Sequence, residues 1–174
     1  QRVIEASSGE MRLLLAVGIY TGLRLGDAAL LDWGSIDMMK GIISLVPAKT
    51  ARRSGKRVTI PVHRTLFEML AAVPSSKRRG YVMPRLAARY QAFNAALAKD
   101  ITKLFLAVGI KTNPNAMTAT EKEAFNTEVT TARAAGRDVP SLKKSKARAR
   151  VDCGFHSLRH TFVSLCAAGG VPQS

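Results

Sequence analysis

Two short β-branched runs interrupt a chain whose apolar residues otherwise return at helical spacing. They are Ile42-Ile43-Ser44-Leu45-Val46 and Val58-Thr59-Ile60-Pro61-Val62. Such residues suit a pleated strand better than a helix, so both runs predict strands, with a third around residues 35–39. Elsewhere the period is helical. Leu13, Leu14, Val17 and Tyr20 form one stripe that Gly22 ends. Ser7-Ser8-Gly9-Glu10 introduces it and reads as a capping box with Ser7 as the cap. A second short helix begins near Gly26-Asp27 and buries Ala28, Leu30, Leu31 and Trp33. Residues 65–73 predict a helix closed by Pro74. Residues 84–108 predict one long helix with Leu86, Tyr90, Phe93, Leu97, Ile101 and Leu104 on a stripe. A weakly amphipathic helix is expected over 120–134, and a last one from His156 or Ser157 to Ala168, before Gly169-Gly170. The expected fold class is α+β, mainly α-helical with a small antiparallel, three-stranded sheet.

At 174 residues and 18.8 kDa the chain suits one domain with a real core. Its composition is ordinary except in charge: 27 Lys and Arg against 12 Asp and Glu give +15. Residues 49–89 alone carry +10 and residues 133–174 carry +6, while the remainder is nearly balanced. Two separated basic blocks are what a groove around a phosphate backbone needs, so duplex nucleic acid is the expected partner. Arg52, Arg53, Lys56, Arg57, Lys143 and Lys144 are the expected DNA-contacting residues. The composition excludes a disulfide scaffold, a collagen-like repeat and an acidic solvating chain. No apolar run is long enough for a membrane helix. Cys153 and Cys166 suit a reducing compartment. The start Gln1-Arg2-Val3, with no signal pattern and no initiator Met, reads as an excised fragment. From residue 109 to 150 the pattern dissolves, and the basic tail 142–150 has little to bury and is expected to be mobile.

Two segments carry chemistry. In Thr21-Gly22-Leu23-Arg24-Leu25-Gly26-Asp27 an arginine follows a helix end, with a carboxylate three residues on. In Phe155-His156-Ser157-Leu158-Arg159-His160-Thr161 a histidine and an arginine share one helix face. Lys49 lies between them in sequence, at a strand exit on the hairpin loop, with Lys56 as its rival on the same loop. Two guanidinium forks, a lysine and a histidine can surround one phosphodiester. The forks match the non-bridging oxygens, the lysine can protonate a leaving oxygen, and the histidine can orient or relay a proton.

These motifs, in this order, resemble the catalytic domain of tyrosine recombinases, the phage-integrase family. The resemblance rests on TGLRxxD with its following Leu-x-Trp, on Lys49-Thr50, and on HxLRHT at His156–Thr161. It covers residues 10 to about 70 and 154–174. It implies that Arg24 and Arg159 are the catalytic arginines, Lys49 the hairpin lysine and His156 the box-two histidine. Asp27 would buttress Arg24. Read from the residues alone, His160 is a supporting group, either buried or packed under the site behind the reacting residues. Members break and rejoin duplex DNA through a 3′-phosphotyrosyl intermediate, without metal or high-energy cofactor. The resemblance further implies oligomerisation on DNA and a cytoplasmic, nucleoid-associated protein of prokaryotic or phage origin. In the family a nucleophilic tyrosine follows HxLRHT. Here the sequence reaches Gln173-Ser174 first, and Tyr20, Tyr81 and Tyr90 match no nucleophile position, so no nucleophile is expected in this chain. Residues 1–174 read as one truncated catalytic domain with an insertion or flexible segment at 109–150.

Two other readings stay open. One is a non-catalytic duplex DNA-binding module of the same fold. The other is a zinc-stabilised DNA-binding protein using Cys153, His156, His160 and Cys166. Cys166 lies ten residues along the helix from His156, about 15 Å of rise, which argues against a shared tetrahedron. No metal site is therefore expected. His63, at the start of a helix, is expected to be structural.

Overall fold

In the computed structural model, which describes residues 2–110, 112, 119–138 and 153–170, the β-branched runs pair as a hairpin. Strand β1 (Ile36–Asp37) pairs with β2 (Ile42–Leu45), and β2 with β3 (Val58–Pro61), all antiparallel in the order β1-β2-β3. Ile43 sits opposite both Ile36 and Ile60, and Ile43 and Ile60 are buried. One residue along, Ser44 faces Thr59 and their hydroxyls meet at 3.3 Å on the outer face. Asp37 closes the first turn by accepting from the N–H groups of Met39 and Lys40. The Lys40 bond is the main reason its carboxyl titrates below its ordinary value.

Helices α1 (Arg2–Glu5), α2 (Gly9–Thr21) and α3 (Leu25–Ala29) precede the sheet. A single turn, α4 (Ala48–Ala51), lies inside the hairpin loop. After the sheet come α5 (Arg64–Ala71), α6 (Pro84–Ala92), α7 (Asn94–Ala107), α8 (Ala119–Ala134) and α9 (Phe155–Ala168). The mostly helical chain with its three-stranded antiparallel sheet is the α+β class expected. Leu14, Leu15, Ala16 and Val17 are all fully buried, so α2 is apolar around its circumference rather than along one stripe. Such a helix belongs in the middle, and α1, α3, α5, α6 and α9 all pack against it.

Two local expectations are corrected. The capping box does not form: Ser8, not Ser7, is the N-cap of α2, and the Ser7 hydroxyl donates to the Ile4 carbonyl at 2.8 Å. Glu10 is used elsewhere. Its carboxylate accepts from the N–H groups of Arg85 and Leu86, satisfying the open first turn of α6. The long helix over 84–108 is two helices, broken at Phe93, where the backbone is extended (φ −159°, ψ 94°) and the ring is 58% exposed. Arg89 and Asp100 form a 2.7 Å ion pair across the break. In a continuous helix those residues would be about 16 Å apart along the axis, so the pair requires the bend.

Arg78 shows why charge is not the same as a DNA contact. Its guanidinium donates to the carbonyls of Val73 (2.8 Å) and Ala71 (2.9 Å) at the open end of α5, and lies over the Trp33 ring. This arginine of the +10 block is spent on the fold. The helix expected over 120–134 is α8, and most of its residues face solvent.

Candidate active site

The first arginine is placed by how α2 ends. Thr21 is buried and donates its hydroxyl to the Val17 carbonyl at 2.6 Å. Gly22 then takes the left-handed conformation (φ 62°, ψ 19°), and its N–H returns to the Gly18 carbonyl. Only glycine adopts this at little cost, and the turn buries Leu23 and leaves Arg24 half-buried as the N-cap of α3.

The second arginine is placed by how α9 docks. Gly18 and Gly22 lie one helical turn apart and leave a seat on α2. A side chain at Gly18 would stand 2.7 Å from the Phe155 ring and 2.9 Å from Leu158, and one at Gly22 would stand 2.6 Å from the Phe162 ring. Phe155 and Leu158 are buried there. Burying side chains of this size stabilises by about 1.5–3 kcal/mol each, so apolar packing dominates the docking. Docked this way, Arg159 donates from Nη1 to the Gly22 carbonyl at 3.2 Å.

Arg24 and Arg159 consequently line one cleft of about 350 Å³. Asp27 and Thr50 share its wall, and Phe162 and Val163 close one side. Asp27 does not pair with Arg24. Its Oδ1 accepts from the Ala48 N–H at 2.9 Å, and it takes part in none of the ion pairs among the described residues. Lys49 is exposed on α4, next in sequence to Thr50 of the cleft wall, and is not in the described lining. His156 is exposed one turn before Arg159 and meets the His160 ring edge-on at 5.2 Å. His160 is therefore not buried beneath the site as expected; it faces solvent, because the core-facing positions of this helix are Phe155 and Leu158. The fold thus brings the two arginines and Asp27 together and leaves both Lys49 and His156 outside the described lining, Lys49 next to Thr50 and His156 one turn before Arg159.

Arg52, Arg53 and Lys56 are exposed and lack a side-chain partner among the described residues. Arg57 is exposed too, but its Nη1 donates to the Ser44 carbonyl, which fixes it along β2. Lys143 and Lys144, with the tail 142–150, lie outside the described residues. Sequence reasoning missed Gly18 as half of the α9 seat. Its only trace is the Gly18-x3-Gly22 spacing. His63 caps α5, accepting from the Thr65 N–H at Nδ1, and stacks on Tyr20 with centroids 4.3 Å apart. Cys166 lines a separate apolar groove with Tyr20 and His63. Among the described residues, no three His, Cys, Asp or Glu side chains gather as a metal site.

The phage integrase family model matches residues 2–174, essentially the whole chain. The chain belongs to that family, the tyrosine recombinases, whose members bind DNA and act in its integration and recombination. No match was found among curated proteins or among solved structures. Among the described residues no helix is long and apolar enough to cross a membrane.

Proposed function

We propose that the chain is the catalytic domain of a site-specific recombinase that breaks and rejoins duplex DNA through a 3′-phosphotyrosyl intermediate. One observation carries the reading: Arg24 and Arg159, from opposite ends of the sequence, line the same cleft. Their forks bind the non-bridging oxygens of the scissile phosphate, where negative charge grows as the nucleophile attacks. His156 reaches the phosphate from one turn up α9. Lys49 swings in from α4 and gives its proton to the departing 5′-oxygen as the phosphorus–oxygen bond breaks.

None of the chain's three tyrosines is the nucleophile; the attacking tyrosine is supplied by sequence outside residues 1–174, and its oxygen bonds to the phosphorus as the bond to the 5′-oxygen breaks. Tyr20 is stacked on His63, Tyr90 packs its hydroxyl end against Gly26, and the Tyr81 hydroxyl accepts from Gln91 at 3.0 Å. None belongs to the described lining of the arginine cleft. Arg52, Arg53 and Lys56 contact flanking phosphates, and copies of the protein assemble on DNA in the cytoplasm of a prokaryotic host. Residues 109–150 are an insertion into the catalytic domain, a reading supported by the solvent-facing surface of α8. The test is to incubate the full-length protein with a nicked duplex that traps the intermediate. A denaturant-resistant protein–DNA adduct is expected. Binding without an adduct would favour a non-catalytic DNA-binding module of the same fold.

A further inference from the structure

The α4 turn has little of its own to hold it. It is four residues long and buries no side chain. A single helical turn fixes several backbone angles for very few bonds and is unstable alone in water. Within the turn, the Pro47 carbonyl accepts from the N–H groups of Thr50 and Ala51 and from the Thr50 hydroxyl. The bond that ties the start of the turn to another part of the fold is the one from the Ala48 N–H to Asp27 Oδ1, 2.9 Å across 21 residues. Asp27 stands on α3, three residues after Arg24, and Ala48 directly precedes Lys49. A carboxylate accepting from the open N-terminal N–H of a helical turn is favoured by charge as well as by geometry.

We propose that Asp27 is a positioning residue for Lys49: its carboxylate anchors α4 to the helix that begins at Arg24, and so holds the lysine next to Thr50 of the cleft wall. Asp27 acts through the Ala48 backbone and touches neither the DNA nor Arg24. The inference rests on Lys49 being the proton donor proposed above. It predicts that loss of Asp27 mimics loss of Lys49, and specifically at the step that needs a proton.

The experiment compares single-turnover cleavage by the full-length protein of two duplexes, one with the normal 5′-oxygen leaving group and one with a bridging 5′-sulfur. The sulfur departs as a thiolate and needs no proton. Asp27→Ala and Lys49→Ala should each slow the oxygen substrate by on the order of 10²-fold, a typical general-acid contribution, and recover most of that loss on the sulfur substrate. Asp27→Asn retains an acceptor oxygen for the Ala48 N–H and should restore much of the oxygen rate that alanine loses. Hydrogen exchange at the Ala48 amide should quicken in Asp27→Ala while α2 stays protected. If Asp27→Ala slows both substrates alike while Lys49→Ala is rescued by sulfur, Lys49 stands as the donor and the role given to Asp27 is wrong. If sulfur fails to rescue Lys49→Ala itself, the donor is not Lys49 and the inference falls with it. Unchanged exchange at Ala48 would equally overturn the anchoring.

Discussion

The guanidinium of Arg159 donates to the carbonyl oxygen of Gly22, 3.2 Å away and 137 residues earlier in the chain. Gly22 is the left-handed cap that ends α2, and Arg24 follows two residues later. One bond therefore ties the second arginine to the backbone that aims the first. Two like charges lining a small cleft repel unless an anion sits between them, so their approach must be enforced by the fold. A single hydrogen bond from a charged donor contributes about 1.5–3 kcal/mol at most, less than the combined burial of Phe155 and Leu158 on the same helix. The arginine cleft is thus assembled by apolar packing and trimmed by a polar contact.

The glycine seat should be sensitive to a single methyl group. Gly18→Ala places a side chain 2.7 Å from the Phe155 ring and 2.9 Å from Leu158, and both of those residues are buried. Overpacking of this kind costs about 1–3 kcal/mol, so the thermal midpoint should fall and amide exchange across α9 should quicken. Gly41→Ala is the control. Gly41, unlike Gly18, has a positive φ and open space around it, so its cost is conformational, about 1–2 kcal/mol, and α9 should stay protected. Wild-type exchange of α9 in Gly18→Ala would show that the seat is not what docks it.

Duplex DNA binding should weaken steeply with salt, because phosphate contacts release counterions. Arg52→Ala, Arg53→Ala and Lys56→Ala should each reduce the slope of log affinity against log salt by about 1, across unrelated sequences. Arg78→Ala should leave that slope unchanged and lower the thermal midpoint, since its donors serve Ala71 and Val73. Equal effects of Arg78 and Arg52 on the slope would refute this division of the basic block.

Residues 1–174 should form no covalent adduct with a nicked duplex, because no tyrosine hydroxyl of the chain is free beside the cleft. Tyr81 is the most exposed of the three, at 37%. An adduct that disappears in Tyr81→Phe would make that residue the nucleophile and overturn the assignment.

Periodicity carried most of the fold. The β-branched runs, α2, α5 and α9 are legible because period and terminators agree there. The break at Phe93 is not, because neither Gly nor Pro marks it and the apolar stripe runs straight through. The extended backbone and exposed ring of Phe93, together with the Arg89–Asp100 pair, report it. Glu10 misled for a related reason. A carboxylate three residues after a serine has local use, but tertiary contact gave it to α6 instead. At the site, Arg24 and Arg159 and their meeting around one phosphate were read from the motifs, but the means of bringing them together was not, since it depends on the seat left by Gly18 and Gly22. The partner of Asp27 was equally hidden. A backbone N–H leaves no mark in the sequence.

The most direct measurement is cleavage and binding, side by side, on Arg24→Ala and Arg159→Ala in the full-length protein. Both arginines are proposed to address the reacting phosphate, where one oriented donor is worth on the order of 10²–10³ in rate. Each is also only one of many phosphate contacts, so affinity at fixed salt should change by less than about tenfold. The expected result is cleavage lost by at least about a hundredfold in both variants with DNA still bound. Cleavage that falls only in proportion to binding, or that survives in either variant, would contradict a shared arginine cleft as the catalytic centre.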